Sequence, residues 1–394
     1  MLKGFTPQER RVVLSITFAV VVRMLGLFLL LPVLSPYLKT LEGATPTLIG
    51  LAVGVYGLAQ ALLQIPFGYL SDKHGRKPVI LVGMLTYALG SLMAGLVGNI
   101  WSMVVARFVQ GFGAVSSVMI ALSADLTREE VRTRAFAQVG ASIGLTFALS
   151  LVLAPLLAGA FGVPFLFFLT AFLSLLATYV LMTQVPEPVE NSRDREIEPS
   201  LTNLALLLRS SDQLFLNFSV GFLHACMVVL FTVVPYELVY SYHMPKLTHW
   251  KIYLPAILLA LAVMVPAILL AEKKGKLREV FLSGVFLVGL SFLSFELVRS
   301  FWGLVFMVFL FFLGFNLLEA LIPSLLTKLT HRDLRGLSLG LFNTVQFLGA
   351  FAGGLWGGLA LKQGSHLMTL TATALCFFWL LVSLLWFKRL KVRA

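Results

Sequence analysis

Four ionisable side chains interrupt long apolar stretches of this sequence: Arg23, Arg107, His224 and Glu319. A charge in such surroundings is costly without a partner or water, so these residues are candidates for function by default. Burial disfavours the ionised form of a carboxyl group, so Glu319 could take up and release a proton near neutral pH. His224 could do the same as an ordinary imidazole. We predict a proton-coupling role for all four, with Glu319 as the carrier and His224 as its rival. The structural alternatives are an interhelical hydrogen bond for His224 and a snorkelling side chain for Arg107.

Uncharged polar side chains recur at helical spacing in the same stretches, three, four or seven residues apart. Residues at these separations share one face of a helix. They could line a substrate cavity or only bridge neighbouring helices, and the sequence leaves both interpretations open. The predicted cavity residues are Tyr56, Gln60, Gln64, Asn217, Asn316, Asn343 and Gln346.

The elements that must position these residues are membrane-spanning helices. The chain has 394 residues, of which 59% are hydrophobic and 12% charged, whereas soluble domains carry about 25% charged residues. Apolar runs of spanning length fall at about 11–38, 47–70, 78–97, 100–123, 133–159, 163–184, 212–240, 249–271, 278–297, 300–327, 336–361 and 365–387. Pro32 and Pro155 are predicted to bend the first and fifth helices, since proline removes a backbone donor.

The net charge of +12 follows the predicted topology. With a cytoplasmic N-terminus, 23 of the 30 Lys and Arg residues fall on the cytoplasmic side and 5 on the other. This bias, with an even helix number, predicts that both termini are cytoplasmic. The basic residues therefore indicate membrane orientation and not binding to nucleic acid. The two cysteines lie in apolar runs and indicate neither a disulfide framework nor a metal site.

An internal repeat divides the chain into halves. At an offset of 200 residues, the segment 72–76 (DKHGR) aligns with 272–276 (EKKGK), and Pro66 aligns with Pro266. Parallel six-helix repeats with a site between them are a known plan for secondary transporters. We predict an N-terminal bundle at 1–184, a cytoplasmic linker at 185–211 and a C-terminal bundle with a short basic tail at 212–394.

A charged loop joins the second and third predicted helices and reads GYLSDKHGRKP. Glycine permits close helix approach and a tight turn, and the basic side chains could reach acids on neighbouring helices. The alternative is that these bases only enforce topology. The predicted conformational charge cluster comprises Gly68, Asp72, Lys73, Gly75, Arg76, Lys77 and Asp125.

This loop resembles the signature G-x-L-x-D-R-x-G-R-K of the major facilitator superfamily, with Lys73 where the family often has Arg. The segment RFVQGFGA resembles the family's R-x-x-x-G-x-G-A element, and LLLPVLSP is similar to the first helix of its drug:proton antiporter branch. The fifth helix has Ala154-Pro155 where antiporters usually have Gly-Pro. Together, RMLGLFLLLPVL, QIPFGYLSDKHGRKP and FNLLEALIPSLL resemble bacterial YajR-type transporters. Those proteins carry an extra cytoplasmic domain after helix twelve, which we do not expect beyond KRLKVRA.

The resemblance implies an all-α membrane protein with twelve transmembrane helices in two pseudo-symmetric six-helix bundles. It also implies that helices one, four, seven and ten line the cavity. We predict a proton-coupled exporter of small, partly apolar molecules in the bacterial inner membrane, acting as a monomer. No enzyme activity, cofactor, metal or nucleic acid is expected; the partners are the substrate, protons and the lipid bilayer. The alternatives are a proton-symport importer, an exporter dedicated to a siderophore or another endogenous product, and a non-transporting receptor or scaffold.

Overall fold

The structure is a computed structural model that describes residues 4–188, 201–331 and 334–393. Almost all of these residues are helical. The helices are α1 Pro7–Phe28, α2 Leu34–Leu38, α3 Pro46–His74, α4 Arg76–Leu96, α5 Ile100–Gly111, α6 Ser116–Asp125, α7 Glu129–Phe161, α8 Val163–Gln184, α9 Leu201–Arg209, α10 Ser211–Tyr240, α11 Trp250–Lys273, α12 Leu277–Leu297, α13 Phe301–Leu329, α14 Arg335–Gln363 and α15 Ser365–Arg393.

Twelve helical stretches in the described residues are long and apolar enough to cross a bilayer. This confirms the predicted all-α membrane fold. Helix α9 lies in the predicted linker and is not one of these twelve spans. Residues 189–200 of the predicted linker lie outside the described part of the chain. We call the membrane side on which α1 begins the terminal side, and the other the opposite side. Which of them faces the cytoplasm stays a prediction.

The first and fourth spans are not the continuous helices that the sequence predicted. α1 ends at Phe28, and a turn that contains Pro32 separates it from the short α2. The fourth span breaks between α5 and α6, over 112–115. Because a broken helix leaves carbonyl groups without their usual partners, a break at membrane depth needs other donors. Gln60 Nε2 donates to the carbonyl oxygen of Gly111 at 2.8 Å, and Arg23 Nε donates to that of Gly113.

The two halves of the chain meet along a seam between α3 and α14. The helix backbones touch near the opposite side: a methyl group on Gly354 would lie 2.5 Å from the Cα of Gly54, and one on Gly50 would lie 2.6 Å from the Cα of Gly358. Small residues permit such contact between membrane helices. The opposite side is therefore closed along this seam.

The terminal end of the same seam is open. Gly68 on α3 and Gly340 on α14 continue the contacting faces by helical periodicity. A methyl group on either would meet no atom of the described residues within 4 Å. The same holds for Gly140 and Gly144 on α7, which share a helix face with Phe147. The halves thus form a cleft that opens toward the terminal side.

The predicted orientation can be tested with reporter fusions at Leu390 and at Ser241, which follows α10. We expect opposite location signals, cytoplasmic for the first and periplasmic for the second, because the basic residues cluster on the terminal side. Alkaline phosphatase and green fluorescent protein report the two compartments. Matching signals at the two positions would contradict the twelve-span topology.

Candidate functional site

Three polar side chains of the C-terminal half meet in the cleft: Glu319 on α13, His224 on α10 and Gln346 on α14. The nearest carboxylate oxygen of Glu319 lies 3.8 Å from His224 Nε2, and Gln346 Nε2 lies 2.7 Å from the same ring nitrogen. The side chain of His224 is 8% exposed, whereas that of Glu319 is 43% exposed. The predicted carrier and its rival are thus neighbours, with the carboxylate on the accessible side of the pair.

The ring of His224 is oriented by two hydrogen bonds. Its Nδ1 lies 3.1 Å from the carbonyl oxygen of Val220, which can only accept, so Nδ1 carries a proton. Gln346 Nε2 lies 2.7 Å from the other ring nitrogen, Nε2, and an amide nitrogen can donate only to a ring nitrogen without a proton. A proton on both ring nitrogens would make the ring a cation facing Glu319, and the contact would then be an ion pair.

Aromatic rings close the cleft between this polar group and the opposite side. Phe147 on α7 lies 5.0 Å, between ring centroids, from Phe28 of its own half. It lies 6.5, 6.1 and 6.4 Å from Phe231, Phe312 and Phe315 of the other half. Phe315 also packs edge-on against His224 at 5.7 Å. A molecule entering the cleft would therefore meet aromatic faces beside one accessible carboxylate.

Arg23 lies in the N-terminal half and is 2% exposed. Its guanidinium donates to the Gly113 carbonyl oxygen, to Ser116 Oγ and to Gln60 Oε1. All three partners belong to its own half, and two lie at or beside the break in the fourth span. In this conformation Arg23 holds that break and does not pair with Glu319.

Arg107, also 2% exposed, has a different environment. Its Nη1 donates to Gln110 Oε1, and its guanidinium carbon lies 4.8 Å from the ring centroid of Tyr56. Gln110 Nε2 donates onward to Ser91 Oγ at 2.8 Å. Arg107 Nε and the hydroxyl of Tyr56 are buried without a hydrogen-bond partner among the described residues. The guanidinium of Arg107 therefore has fewer hydrogen-bond acceptors than that of Arg23.

Four further predicted cavity residues lie on α3, α10, α13 and α14, namely Gln64, Asn217, Asn316 and Asn343. Asn217 Oδ1 accepts from Gln213 Nε2 at 3.0 Å, and Asn316 Nδ2 donates to the Phe312 carbonyl oxygen at 2.7 Å. Both bonds lie within single helices. Gln64 is buried, and Asn343 is partly buried on α14. Pro155 lies inside the continuous helix α7.

The charged loop brings together Asp72, Arg76 and Asp125, at the terminal ends of α3, α4 and α6. Arg76 donates to Asp72, to Asp125 at 3.1 Å and to Ser71 Oγ at 2.8 Å. Gly75 adopts φ +94°, a conformation that favours glycine. This cluster forms while the cleft is open on the terminal side, so the three charges do not close that side by themselves.

The remaining members of the predicted cluster lie apart from these charges. Lys77 Nζ donates to the carbonyl oxygens of Met182 and Val185 at 3.2 and 2.9 Å and lies 3.5 Å from a Glu187 oxygen. It ties α4 to the end of α8. Lys73 is exposed, and Gly68 faces the open seam.

Charged contacts that the sequence did not predict occur on both sides of the membrane. On the terminal side, Arg128 Nε donates to Glu9 Oε1 at 2.9 Å, and this hydrogen bond is the main cause of the raised pKa of Arg128. On the opposite side, Lys39 Nζ lies 3.7 Å from the ring centroid of Tyr240 and 4.7 Å from that of Tyr236, and the Tyr240 hydroxyl donates to the Pro36 carbonyl oxygen at 3.2 Å. We call Lys39, Tyr236 and Tyr240 the clasp. Lys39 carried no sequence signal beyond its loop position, because its partners are about 200 residues away.

Comparisons with known proteins decide the family. The family model described as Major Facilitator Superfamily matches residues 16–354. The chain belongs to the Major Facilitator Superfamily. It is 41% identical over 358 residues to the inner membrane transport protein YajR of Escherichia coli K12, covering 90% of this chain and 78% of that protein. It is 28% identical to the class H tetracycline resistance protein of Pasteurella multocida, over 50% of this chain and 52% of that one.

The fold of this facilitator is also found in solved structures. A bacterial homologue of the human lysosomal transporter Spinster superposes with a TM-score of 0.78 at 14% identity, covering 96% of this chain and 98% of that one. The facilitator is thus a multi-pass inner membrane transporter for a small-molecule substrate, and not an enzyme. The predicted family and fold are confirmed, whereas the roles of individual site residues stay predictions.

Substitution Asp72→Asn is expected to shift this facilitator roughly two- to fivefold toward the conformation open on the terminal side, and to slow transport without unfolding it. Asp72 is half exposed beside the open seam. When α14 approaches, its positive N-terminal dipole would attract the Asp72 carboxylate, a contribution of about 0.3–1 kcal/mol.

The measurement is thiol labelling of cysteines placed at Gly140, in the cleft, and at Val53, near the closed seam, after alanine replaces Cys226 and Cys376. Glu130→Gln, an exposed acid on α7, is the control; equal labelling in both variants would contradict a role for Asp72.

Substitution Lys39→Met is expected to shift the same labelling in the other direction, by about two- to fivefold. An exposed cation–π contact is worth about 0.5–1 kcal/mol, and the clasp exists only while the opposite side is closed. Labelling at Val53 should therefore rise and labelling at Gly140 should fall. Lys251→Met, which removes an exposed charge from the same side, should change neither rate. If Lys251→Met changes both labelling rates as much as Lys39→Met does, the loss of surface charge and not of the clasp would explain the shift.

Proposed function

We propose that this facilitator exports small, partly apolar molecules from the cytoplasm in exchange for protons, with the terminal side facing the cytoplasm. The observation that carries the proposal is the accessible Glu319 carboxylate 3.8 Å from His224 in the wall of the cleft. A lone acid at this depth is unfavourable as an anion unless water, a cation or a proton accompanies it. The pair therefore offers one site that protons and a substrate could occupy in turn.

The surroundings of the pair support a partly apolar substrate. The rings of Phe28, Phe147, Phe231, Phe312 and Phe315 form the closed end of the cleft, and the amide of Gln346 lies beside His224. Ligand sites commonly combine mostly apolar walls with few polar groups. Because the cleft lies between two halves of one chain, a monomer would suffice for transport.

The relatives support export. Tetracycline resistance proteins from Pasteurella multocida and Escherichia coli match about half of this chain at 28% and 29% identity. The names of these relatives suggest resistance to an amphiphilic, aromatic-ring compound, which is the kind of molecule that the cleft would admit. Tetracycline and a lipophilic fluorescent dye are therefore suitable first probes.

The proposed direction and energy source can be tested in everted membrane vesicles that contain the protein. Respiration acidifies their interior, so a proton antiporter that exports from the cytoplasm should accumulate the probe inside, and a protonophore should release it. Vesicles without the protein are the control. Accumulation that survives the protonophore would exclude proton coupling, whereas gradient-driven expulsion of the probe from preloaded vesicles would favour the importer.

A further inference from the structure

We infer that Gln346 is a positioning residue that orients His224 toward Glu319 and transmits the protonation state of this pair to the seam between the halves. The inference rests on the proposed proton coupling and adds the element that would link it to opening and closing. Three observations carry it: the contact between Gln346 and His224, the packing of α14 on α10, and the packing of α14 on α3.

The contact fixes the imidazole. Gln346 Nε2 lies 2.7 Å from His224 Nε2, closer than the 3.8 Å that separates this nitrogen from the Glu319 carboxylate. In this orientation the amide nitrogen can bond only to an Nε2 that carries no proton. If Nε2 gained a proton, the amide would have to turn its oxygen toward the ring or give way to Glu319. One protonation event at His224 thus changes what Gln346 can bind.

The surroundings of His224 confine this response to α13 and α14. Glu319 on α13 is the one ionisable group of the described residues recorded within ion-pair distance of the ring, and Phe315 on α13 covers a ring edge. On α10 itself the carbonyl oxygen of Val220 accepts from Nδ1. Arg23 and Arg107 are bound within the other half. Among the described residues, a proton at Nε2 would therefore interact with Gln346 and with one charged group, Glu319.

The backbone of α14 packs closely against α10 in the two turns that follow Gln346. A methyl group on Gly349 would lie 1.9 Å from the Gly221 carbonyl oxygen, and one on Gly353 would lie 2.4 Å from that of Ala225. Gly221 and Ala225 flank His224. Because close-packed surfaces transmit small displacements, a change in the contact between Gln346 and His224 would displace α14 as a whole.

The other face of α14 forms the seam. The carbonyl oxygens of Phe347 and Phe351 lie 2.8 and 2.7 Å from where methyl groups on Gly57 and Gly54 of α3 would be. Phe347 is the next residue after Gln346. The residue that touches His224 is thus adjacent to the residue that touches the other half of the molecule. This adjacency gives protonation a direct route to the seam.

The test is the pH dependence of thiol labelling at a Gly140→Cys reporter in the background without native cysteines. A conformational equilibrium coupled to one proton changes by up to about tenfold per pH unit. We expect the labelling rate of the reference protein to depend on pH. Gln346→Leu should flatten this dependence to less than about twofold, and Thr344→Val should retain it. Thr344 lies on the same helix, where its hydroxyl donates to the Gly340 carbonyl oxygen at 2.9 Å.

A second variant keeps the inference testable if Gln346→Leu does not fold. Gln346→Glu preserves the shape but replaces the donor amide with a carboxylate that would pair with the protonated ring. Its labelling profile should shift to higher pH by about one unit or more. Unchanged profiles in folded Gln346 variants, beside a pH-dependent reference, would overturn the role of Gln346 and leave the proposed function intact. A reference protein without pH dependence would instead count against the coupled pair itself.

Discussion

Proton-driven accumulation of the probe should fall by about tenfold or more in Glu319→Gln, while exchange of labelled for unlabelled probe continues. A gradient of one pH unit is worth about 1.4 kcal/mol per proton, which is a factor of ten in an equilibrium ratio. Glutamine keeps the size of the side chain but cannot carry the proton. The measurement is accumulation and exchange in proteoliposomes with an imposed pH gradient.

The comparison with His224→Gln separates the carrier from its rival. If Glu319 carries the proton and His224 tunes it, His224→Gln should shift the pH profile of driven flux and leave some accumulation. Glu279→Gln, an exposed acid in the first turn of α12, should behave as the unmodified protein. Normal accumulation with a normal pH profile in Glu319→Gln would show that this carboxylate is structural.

Gly354→Leu is expected to abolish the conformation described here and to stop transport. A methyl group at this position would lie 2.5 and 2.6 Å from the Cα and nitrogen of Gly54 and 2.7 Å from the Gly50 carbonyl oxygen. All three are backbone atoms that cannot turn aside, so the seam would have to separate near the opposite side. Labelling at Val53 should rise by about tenfold or more and labelling at Gly140 should fall, because a loss of about 1.4 kcal/mol already shifts the equilibrium tenfold.

The matched variant is Gly340→Leu on the same helix, where a methyl group meets no described atom within 4 Å. It adds the same side chain at the open end of the seam. It should therefore leave the present conformation populated and hinder closure of the terminal side. If both glycine variants lower transport without opposite changes in labelling, general destabilisation of α14 and not alternation at the seam would explain the loss.

The spans were predictable because each needs about twenty apolar residues, a signal that is local in sequence. The interruption in the fourth span was not. GFGAVSS contains no charged residue and lies inside a long apolar run, so hydropathy does not separate α5 from α6. The break is stable because Arg23 and Gln60, from two other helices, bind the freed carbonyl groups. A contact between residues 90 positions apart, such as that of Arg23 with Gly113, leaves no periodic pattern.

The polar residues of the site show the same limit. Their depth in apolar runs identified Glu319 and His224 as candidates, but only the fold reveals that they are neighbours. Helical spacing placed Gln346 among the predicted cavity residues, but the sequence did not reveal that its amide contacts His224. Arg23 and Arg107 are equally buried, yet the structure gives the first three hydrogen-bond acceptors and leaves Nε of the second unpartnered. Burial can be predicted from hydropathy, but partners depend on how helices cross.

The most direct test of the central claim measures proton movement driven by the substrate alone. Proteoliposomes contain a trapped pH-sensitive dye and no imposed proton gradient, and they receive externally the probe that everted vesicles accumulate. A proton-exchanging exporter should make the interior more alkaline as the probe enters, and Glu319→Gln should abolish this change. Acidification of the interior, or entry of the probe without any pH change, would contradict the account.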